Sequence, residues 1–349
     1  MKIAAHPNSG WRTRLRDVNH AILPPSTTRP NPVVSGNKVF VAIFAPGAVC
    51  CLAKRTGELL WQTCLNSYAG SAVIFADGIL FATSCRTLYA LDPETGEIRW
   101  EFTPHSQPGE WIYSQPAVCA GRVFVGDRCG DFHCLDTTTG KALWGRRTSR
   151  ARNNQVNATA LIAGSRVVTV NNDGAVACYA TRTGQTIWRQ LVDGACTGEV
   201  LRMGNRAVVG ASSLYALDLS TGAVRLEIGF PDKTVTSVTI AQRRLVAALG
   251  PDFQVVDQQR PWKYELVVIE RGREIARRSL KGISALRTCT DTGLVYRVGS
   301  SSMDIIDPST GTLVMSHRKR MALPDRSQGF LYGLTDEGLV FAERGPEVG

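Results

Sequence analysis

The chain has 349 residues, of which 44% are hydrophobic and 20% are charged, and this balance excludes an intrinsically disordered protein. Its length is sufficient for a large hydrophobic core. Forty lysine and arginine residues against 30 aspartate and glutamate residues give a formal net charge of +10. A basic surface permits an acidic partner or a nucleic acid but requires neither.

The first thirty residues show no regular pattern apart from one short segment. Met1–Ala5 is followed at once by polar residues and proline, so no apolar core of a secretory signal is seen. We therefore expect a cytoplasmic protein without membrane insertion, whose ten cysteines are reduced. Trp11–Leu15 has the alternation of an outer strand whose partner strands lie elsewhere in the chain.

The segment Arg122–Trp144 shows the unit from which most of the chain is built. Arg122–Gly126 and Phe132–Leu135 have the composition of β-strands. Asp127–Gly130 and Asp136–Gly140 have the composition of turns. The tryptophan that ends the unit is too large for a single small sheet to bury, so the unit is predicted to pack against copies of itself.

The second turn of this unit recurs along the chain about every forty residues. A period of this size, with several short strands in each copy, is typical of a β-propeller. The glycines of the recurring turn are Gly57, Gly96, Gly140, Gly184, Gly222, Gly272 and Gly311.

The recurring pattern A-x-D-x-x-T-G-x-x-x-W is complete at Ala90–Trp100. It resembles the repeat of the PQQ-like (pyrroloquinoline-quinone-like) β-propeller family over roughly residues 30–345. That family includes quinoprotein dehydrogenases and the propeller lipoprotein of outer-membrane assembly. The resemblance implies an all-β propeller but no particular activity, because the repeated residues are structural and propellers have many functions.

The predicted fold is an eight-bladed β-propeller of four-stranded antiparallel blades, forming a single domain over residues 1–349. Residues 11–15 are predicted to complete the last blade and close the ring, which removes exposed sheet edges. The alternative is seven blades, if residues 235–277 do not form a complete sheet. Residues 250–264 are predicted to be an insertion loop, with Trp262 either packed on the ring or exposed for a partner.

No catalytic, metal or cofactor site is predicted. The chain has no G-x-S-x-G, H-E-x-x-H or Walker motif. Some quinoprotein dehydrogenases have a disulfide between adjacent cysteines beside the cofactor, but strand alternation directs Cys50 and Cys51 to opposite faces. His133 and Cys134 also face apart, and His133 occupies the position that a tyrosine fills in other repeats, so it is interpreted as structural.

The links that enter the innermost strands are predicted to meet at one mouth of the central channel. Two of them, Gln107–Gln115 and Arg150–Asn157, contain aromatic, arginine and amide groups that the repeat does not require. Such groups suit a binding surface, although they could also cover a blade junction and cap turns. The predicted partner-binding residues are Tyr68, Glu110, Trp111, Tyr113, Gln115, Arg150, Arg152, Asn153, Asn154, Asn157, Glu199 and Lys233.

These observations favour a non-catalytic, rigid scaffold that binds another protein and is a subunit of a larger assembly. The alternative is an enzyme or small-molecule binding protein that holds a quinone-like ligand in the channel. That function would need convergent polar side chains from several innermost strands, or a metal. A nucleic-acid-associated platform is the least favoured hypothesis, because the basic clusters are spread around the rim instead of forming a stripe.

Overall fold

The computed structural model describes residues 10–15, 32–69, 71, 73–104, 112, 114–149, 155–196, 198–251, 264–280, 285–288, 292–298, 303–317, 325–327, 330–335 and 339–344. Over these ranges the chain forms eight antiparallel four-stranded sheets arranged as a β-propeller. The described part contains no helix with the length and hydropathy that a membrane span requires.

The strands follow the same order in every blade, from the innermost to the outermost. The chain begins with β1 (Trp11–Arg14); blade one contains β2 (Val33–Ser35), β3 (Lys38–Ile43), β4 (Ala48–Ala53) and β5 (Leu59–Cys64); blade two β6 (Ile74–Ala76), β7 (Ile79–Thr83), β8 (Leu88–Leu91) and β9 (Ile98–Phe102); blade three β10 (Ala117–Cys119), β11 (Arg122–Gly126), β12 (Asp131–Asp136) and β13 (Ala142–Arg147); blade four β14 (Leu161–Ala163), β15 (Arg166–Val170), β16 (Ala175–Ala180) and β17 (Thr186–Leu191). Blade five contains β18 (Leu201–Met203), β19 (Arg206–Gly210), β20 (Ser213–Asp218) and β21 (Val224–Gly229); blade six β22 (Lys233–Ala241), β23 (Arg244–Pro251), β24 (Tyr264–Glu270) and β25 (Arg273–Leu280); blade seven β26 (Ala285–Thr288), β27 (Val295–Val298), β28 (Met303–Ile306) and β29 (Leu313–His317); blade eight β30 (Asp325–Ser327), β31 (Phe330–Leu334) and β32 (Leu339–Arg344), together with β1.

The ring closes through the N-terminal strand, as predicted. β1 pairs antiparallel with β32, with Trp11 opposite Ala342 and Arg14 opposite Leu339. The described residues between 235 and 277 belong to a complete four-stranded blade six, so the propeller has eight blades and the seven-bladed alternative is excluded. Strand β30 was not predicted, because three residues are too few to show a pattern of alternation.

The predicted insertion loop joins the second and third strands of blade six. β23 ends at Pro251 and β24 begins at Tyr264. The intervening residues, with Trp262, lie outside the described residues, so its packing stays a prediction.

Among the described residues, the hydrophobic core consists of eight clusters, each shared between neighbouring blades. The second and third strands contribute most of it, because both faces of these strands are covered by adjacent sheets. Cys50 packs in the cluster with Trp11 and blade eight, whereas Cys51 packs in the cluster with blade two. The prediction that these adjacent thiols face apart is confirmed. Burial raises the pKa of Cys50 to about 12 and that of Cys51 to about 11.

A tryptophan on the outer strand links each of five blades to the next blade. At the junction of blades one and two, Trp61 covers Gly96 so closely that a Cβ on the glycine would lie 2.6 Å from Cε3 of the indole. The Trp61 Nε1 also donates a hydrogen bond of 3.2 Å to the carbonyl of Pro93. The five docked pairs are Trp11 on Gly57, Trp61 on Gly96, Trp100 on Gly140, Trp144 on Gly184 and Trp188 on Gly222.

An aspartate fixes the turn on which the indole docks. Asp92 Oδ1 accepts hydrogen bonds from the backbone N–H groups of Glu94 and Thr95, at 2.8 and 3.0 Å. The hydrogen bond from Arg99, followed by those from the backbone, lowers the pKa of Asp92 to about 2. Asp136 and Asp218 fix the corresponding turns of blades three and five in the same way. The Asp-x-x-Thr-Gly spacing is therefore a requirement of the turn.

We expect Gly96→Ala to destabilise the propeller by about 3 kcal/mol, because it combines a positive φ with a clash against the indole. Gly78→Ala is the matched control: φ is +72° at Gly78 and +78° at Gly96, but nothing lies within 4 Å of an added Cβ at Gly78. Its cost should be about 1 kcal/mol. Chemical denaturation of both variants measures the difference, and equal costs would show that the indole contact is unimportant.

Candidate functional site

The antiparallel order of the strands gives the propeller two different faces. The links into the first strands and the turns between the second and third strands lie on one side, which we call the channel face. The turns between the first and second strands, and between the third and fourth strands, lie on the opposite side, which we call the turn face. All described residues of the predicted binding surface belong to the channel face.

Five of the twelve predicted binding residues belong to the described part of the chain. Tyr68, Gln115, Asn157 and Glu199 lie on links that enter first strands, and Lys233 is the first residue of β22. The other seven lie outside the described residues and stay predictions: Glu110, Trp111, Tyr113, Arg150, Arg152, Asn153 and Asn154.

Tyr68 presents an aromatic ring that its surroundings hold in position. It stacks on Phe44, with ring centroids 5.1 Å apart and an interplanar angle of 25°. The Tyr68 carbonyl accepts a hydrogen bond from the Cys85 N–H at 3.0 Å, and the next residue, Ala69, donates to the Phe44 carbonyl at 3.1 Å. The Tyr68 side chain nevertheless remains 48% exposed. A fixed, exposed aromatic ring is well suited to contact a partner.

The link into blade four contains hydrogen-bonding capacity that the described residues leave unused. Asn157 Nδ2 donates to Gln155 Oε1 at 3.2 Å. Its Oδ1 is buried and has no partner within the described part of the chain. The same holds for Thr159 Oγ1 on this link and for Asn172 Oδ1 on the turn between β15 and β16. Buried polar atoms normally have hydrogen-bond partners. Because these oxygens are shielded from solvent, they do not belong to the exposed binding surface.

Glu199 and Arg287 place opposite charges within electrostatic reach of each other. Glu199 precedes β18 of blade five, and Arg287 lies on the first strand of blade seven. Desolvation by the surrounding protein raises the pKa of Glu199, and the charge of Arg287 partly opposes this rise. Water still reaches the exposed Glu199 side chain, which limits the size of the penalty.

Lys233 and Gln115 are less available than a binding surface needs. The Lys233 Nζ lies 3.1 Å from Glu265 Oε2, and Glu265 also bonds Arg277. This network holds the ammonium group against blade six, although the group remains partly exposed. Gln115 is half-buried beside Ser114, whose hydroxyl donates to the Gly126 carbonyl at 2.9 Å and accepts from the Gly126 N–H at 2.8 Å.

The contact between the buried Asp127 and the partly buried His133 was not predicted from the sequence. His133 occupies the tyrosine position, as predicted, opposite Val125 on β11. Its Nε2 lies 2.9 Å from Asp127 Oδ2, while Asp127 Oδ1 accepts from the N–H groups of Cys129 and Asp131, both at 2.9 Å. Because both oxygens of this buried carboxylate are engaged, the pair fixes a turn of the channel face. The signal in the sequence was an aspartate at the first position of that turn.

A second set of buried hydrogen bonds fixes the corresponding turn of blade four. Asn171, also the first residue of its turn, accepts from the Ala175 N–H at 2.8 Å and donates to Thr148 Oγ1 at 3.1 Å. Arg189 donates to the carbonyls of Thr148 and Arg147 at 3.0 and 2.9 Å. Within the described ranges, no group of three or more histidine, cysteine, aspartate or glutamate residues could hold a metal ion.

Comparison with protein families gives a match over most of the chain. The family model described as "Outer membrane protein assembly factor BamB" matches residues 5–228 and, in an overlapping alignment, residues 173–321. Overlapping alignments are expected of a repeat that can match in more than one register. Comparison with curated proteins gives no match.

Solved structures with similar folds include three of different kinds. The computationally designed Ika8 protein is 19% identical, with a TM-score of 0.73 over 95% of this chain and 98% of its own. BamB from Moraxella catarrhalis is 15% identical, with a TM-score of 0.59 over 99% of both chains. Quinohemoprotein alcohol dehydrogenase from Comamonas testosteroni is 11% identical, with a TM-score of 0.74 over 98% of this chain and 78% of its own. These likenesses establish the fold alone.

We expect Glu199→Gln to increase the free energy of unfolding at neutral pH. A raised pKa means that the folded state holds its proton longer, so the Glu199 contribution to stability falls as pH rises from the ordinary value of 4.5 through the folded pKa. Glu274→Gln is the control of opposite sign, because the hydrogen bond from Arg277 lowers the pKa of Glu274. Denaturation at several pH values tests both. A loss of stability in Glu199→Gln at neutral pH would contradict the assignment.

Proposed function

We propose, from the premise that the chain belongs to the outer membrane protein assembly factor BamB family, that it is a rigid, non-catalytic scaffold. It binds another protein through its channel face and works as a subunit of a larger assembly. The observation that carries this proposal is the exposed Tyr68 ring, stacked on Phe44 and fixed by backbone hydrogen bonds. A pre-organised aromatic group loses little conformational entropy on binding.

The polar groups of the same face complement the aromatic anchor. Glu199 supplies an exposed carboxylate. The seven predicted residues outside the described part would add aromatic, arginine and amide groups to the two links that flank blade three. An interface of this composition has an apolar centre with a polar rim.

Tyr68→Ala should weaken the retention of a stoichiometric protein partner by at least about tenfold. The measurement is affinity purification of the intact protein at moderate salt, with quantitative mass spectrometry of the retained proteins. Ile98→Ala is the matched control, because Ile98 is similarly exposed, at 43%, but begins an outer strand next to the turn face. The double variant Trp111→Ala with Asn154→Ala tests the predicted links.

Two results would contradict the proposal. One is full retention of the partner by Tyr68→Ala and by the double variant. The other is an intact protein that purifies alone, without a stoichiometric partner. Loss of the partner by Ile98→Ala to the same extent would show that the binding surface is not confined to the channel face.

The second candidate function is small-molecule binding in the channel, and the charges of Glu199 and Arg287 favour it. The described residues do not fit a quinone site of the dehydrogenase kind. Cys50 and Cys51 lie on the third strand of blade one and enter separate cores between blades. A chromophore or a metal in the purified protein, found by absorbance or metal analysis, would favour it over the scaffold.

A further inference from the structure

A cavity opens on the turn face between blades five and six, on the side opposite the proposed binding surface. Its volume is about 530 Å³. This volume is within the range of cavities that hold small ligands or large side chains. Its lining residues are Met203, Gly204, Arg206, Leu226, Arg243, Leu245, Ile269, Arg271 and Gly272.

The cavity lies where an indole docks at five other junctions. Leu226 occupies the tryptophan position of blade five, and its Cδ1 stays 3.4 Å from a Cβ built on Gly272. The turn of blade six is also two residues shorter, since Ile269 pairs with Glu274 whereas Leu52 pairs with Leu59 in blade one. A smaller side chain and a shorter turn together leave the space open. Gly272 is accordingly exposed, whereas the docked glycines are covered.

The rim of the cavity is positively charged. Arg206, Arg243 and Arg271 are exposed lining residues, and the lining contains no aspartate or glutamate. Within the described ranges, none of the three forms an ion pair, whereas the neighbouring Arg244 pairs with Glu270 at 3.0 Å. Three guanidinium groups around an apolar floor attract an anionic ligand with an apolar part.

We propose that this cavity binds a tryptophan side chain of a partner protein, within an acidic segment of that protein. The indole would occupy the cavity beside Leu226 and Gly272, and carboxylates on either side of it would pair with the three arginines. At the junction of blades three and four, an arginine lies beside a docked indole. The Arg146 guanidinium lies 5.9 Å from the Trp144 ring centre, and Arg146 Nε donates to the Gly184 carbonyl at 2.7 Å.

The proposal is tested by calorimetric titration of the full-length protein with the peptide acetyl-Glu-Asp-Trp-Asp-Glu-amide. We expect saturable binding, which weakens by at least about tenfold when alanine replaces the tryptophan of the peptide. Leu226→Trp should abolish binding because the new indole fills the cavity. It should also raise the Tm, because it restores the indole contact of the other junctions.

The contribution of the arginines to peptide binding is tested with a variant that leaves the cavity open. Arg206→Gln combined with Arg243→Gln should weaken peptide binding by about tenfold or more, and the remaining binding should depend less on salt. Arg182→Gln is the matched control, because Arg182 lies on the turn of blade four on which Trp144 already docks. It should bind the peptide as the unaltered protein does.

Several outcomes would overturn the proposal. They are the absence of binding to the unaltered protein, equal binding of the alanine peptide, and equal binding by a folded Leu226→Trp variant. Binding of free indole-3-propionate without binding of the peptide would assign the cavity to a small aromatic acid. Self-association that Leu226→Trp abolishes, seen by sedimentation, would assign it to a second copy of this chain. Because the site is on the turn face, none of these results bears on Tyr68.

Discussion

The contact between an outer-strand indole and the turn glycine of the next blade is the constraint on which the ring depends. The indole lies so close to the turn that a Cβ is excluded, and its N–H is bonded to a carbonyl of the same turn. Only glycine fits both this distance and the positive φ of the turn. Each contact joins one blade to the next, so the repeated motif determines how the blades pack as well as how each blade folds. Through Trp11, it also joins the closing strand of blade eight to blade one.

The same constraint explains how the two faces differ. On the channel face, the links and turns make no indole contact, so their side chains can vary. Hydrogen-bonded pairs such as Asp127 with His133 hold the backbone of this face in place. Function commonly concentrates on loops held by a rigid scaffold. On the turn face, the turns of five blades are each covered by an indole from the neighbouring blade. The junction of blades five and six departs from the motif, and the cavity with its three arginines results from that departure.

The blade number, the closing strand and the opposed cysteines could be predicted from the sequence, because each follows from strand alternation or from the period of the repeat. Strand β30 could not, since three residues show no period. The sequence shows the aspartate that begins the turn before β12, but it does not show that the His133 ring is directed towards Asp127. The cavity at Leu226 could be predicted from the sequence only in part. The sequence shows the missing tryptophan, but whether neighbouring side chains fill the space depends on the shortened turn of blade six.

A double-mutant cycle on Trp61 and Gly96 tests the central claim most directly. Trp61→Leu places at the junction of blades one and two the residue type found at Leu226, so Gly96→Ala should then cost only its backbone strain. We predict a coupling free energy of about 2 kcal/mol between the two substitutions, measured by chemical denaturation of the four proteins. Additivity within about 0.5 kcal/mol would contradict the account, because it would mean that the indole and the glycine contribute independently to the stability of the ring.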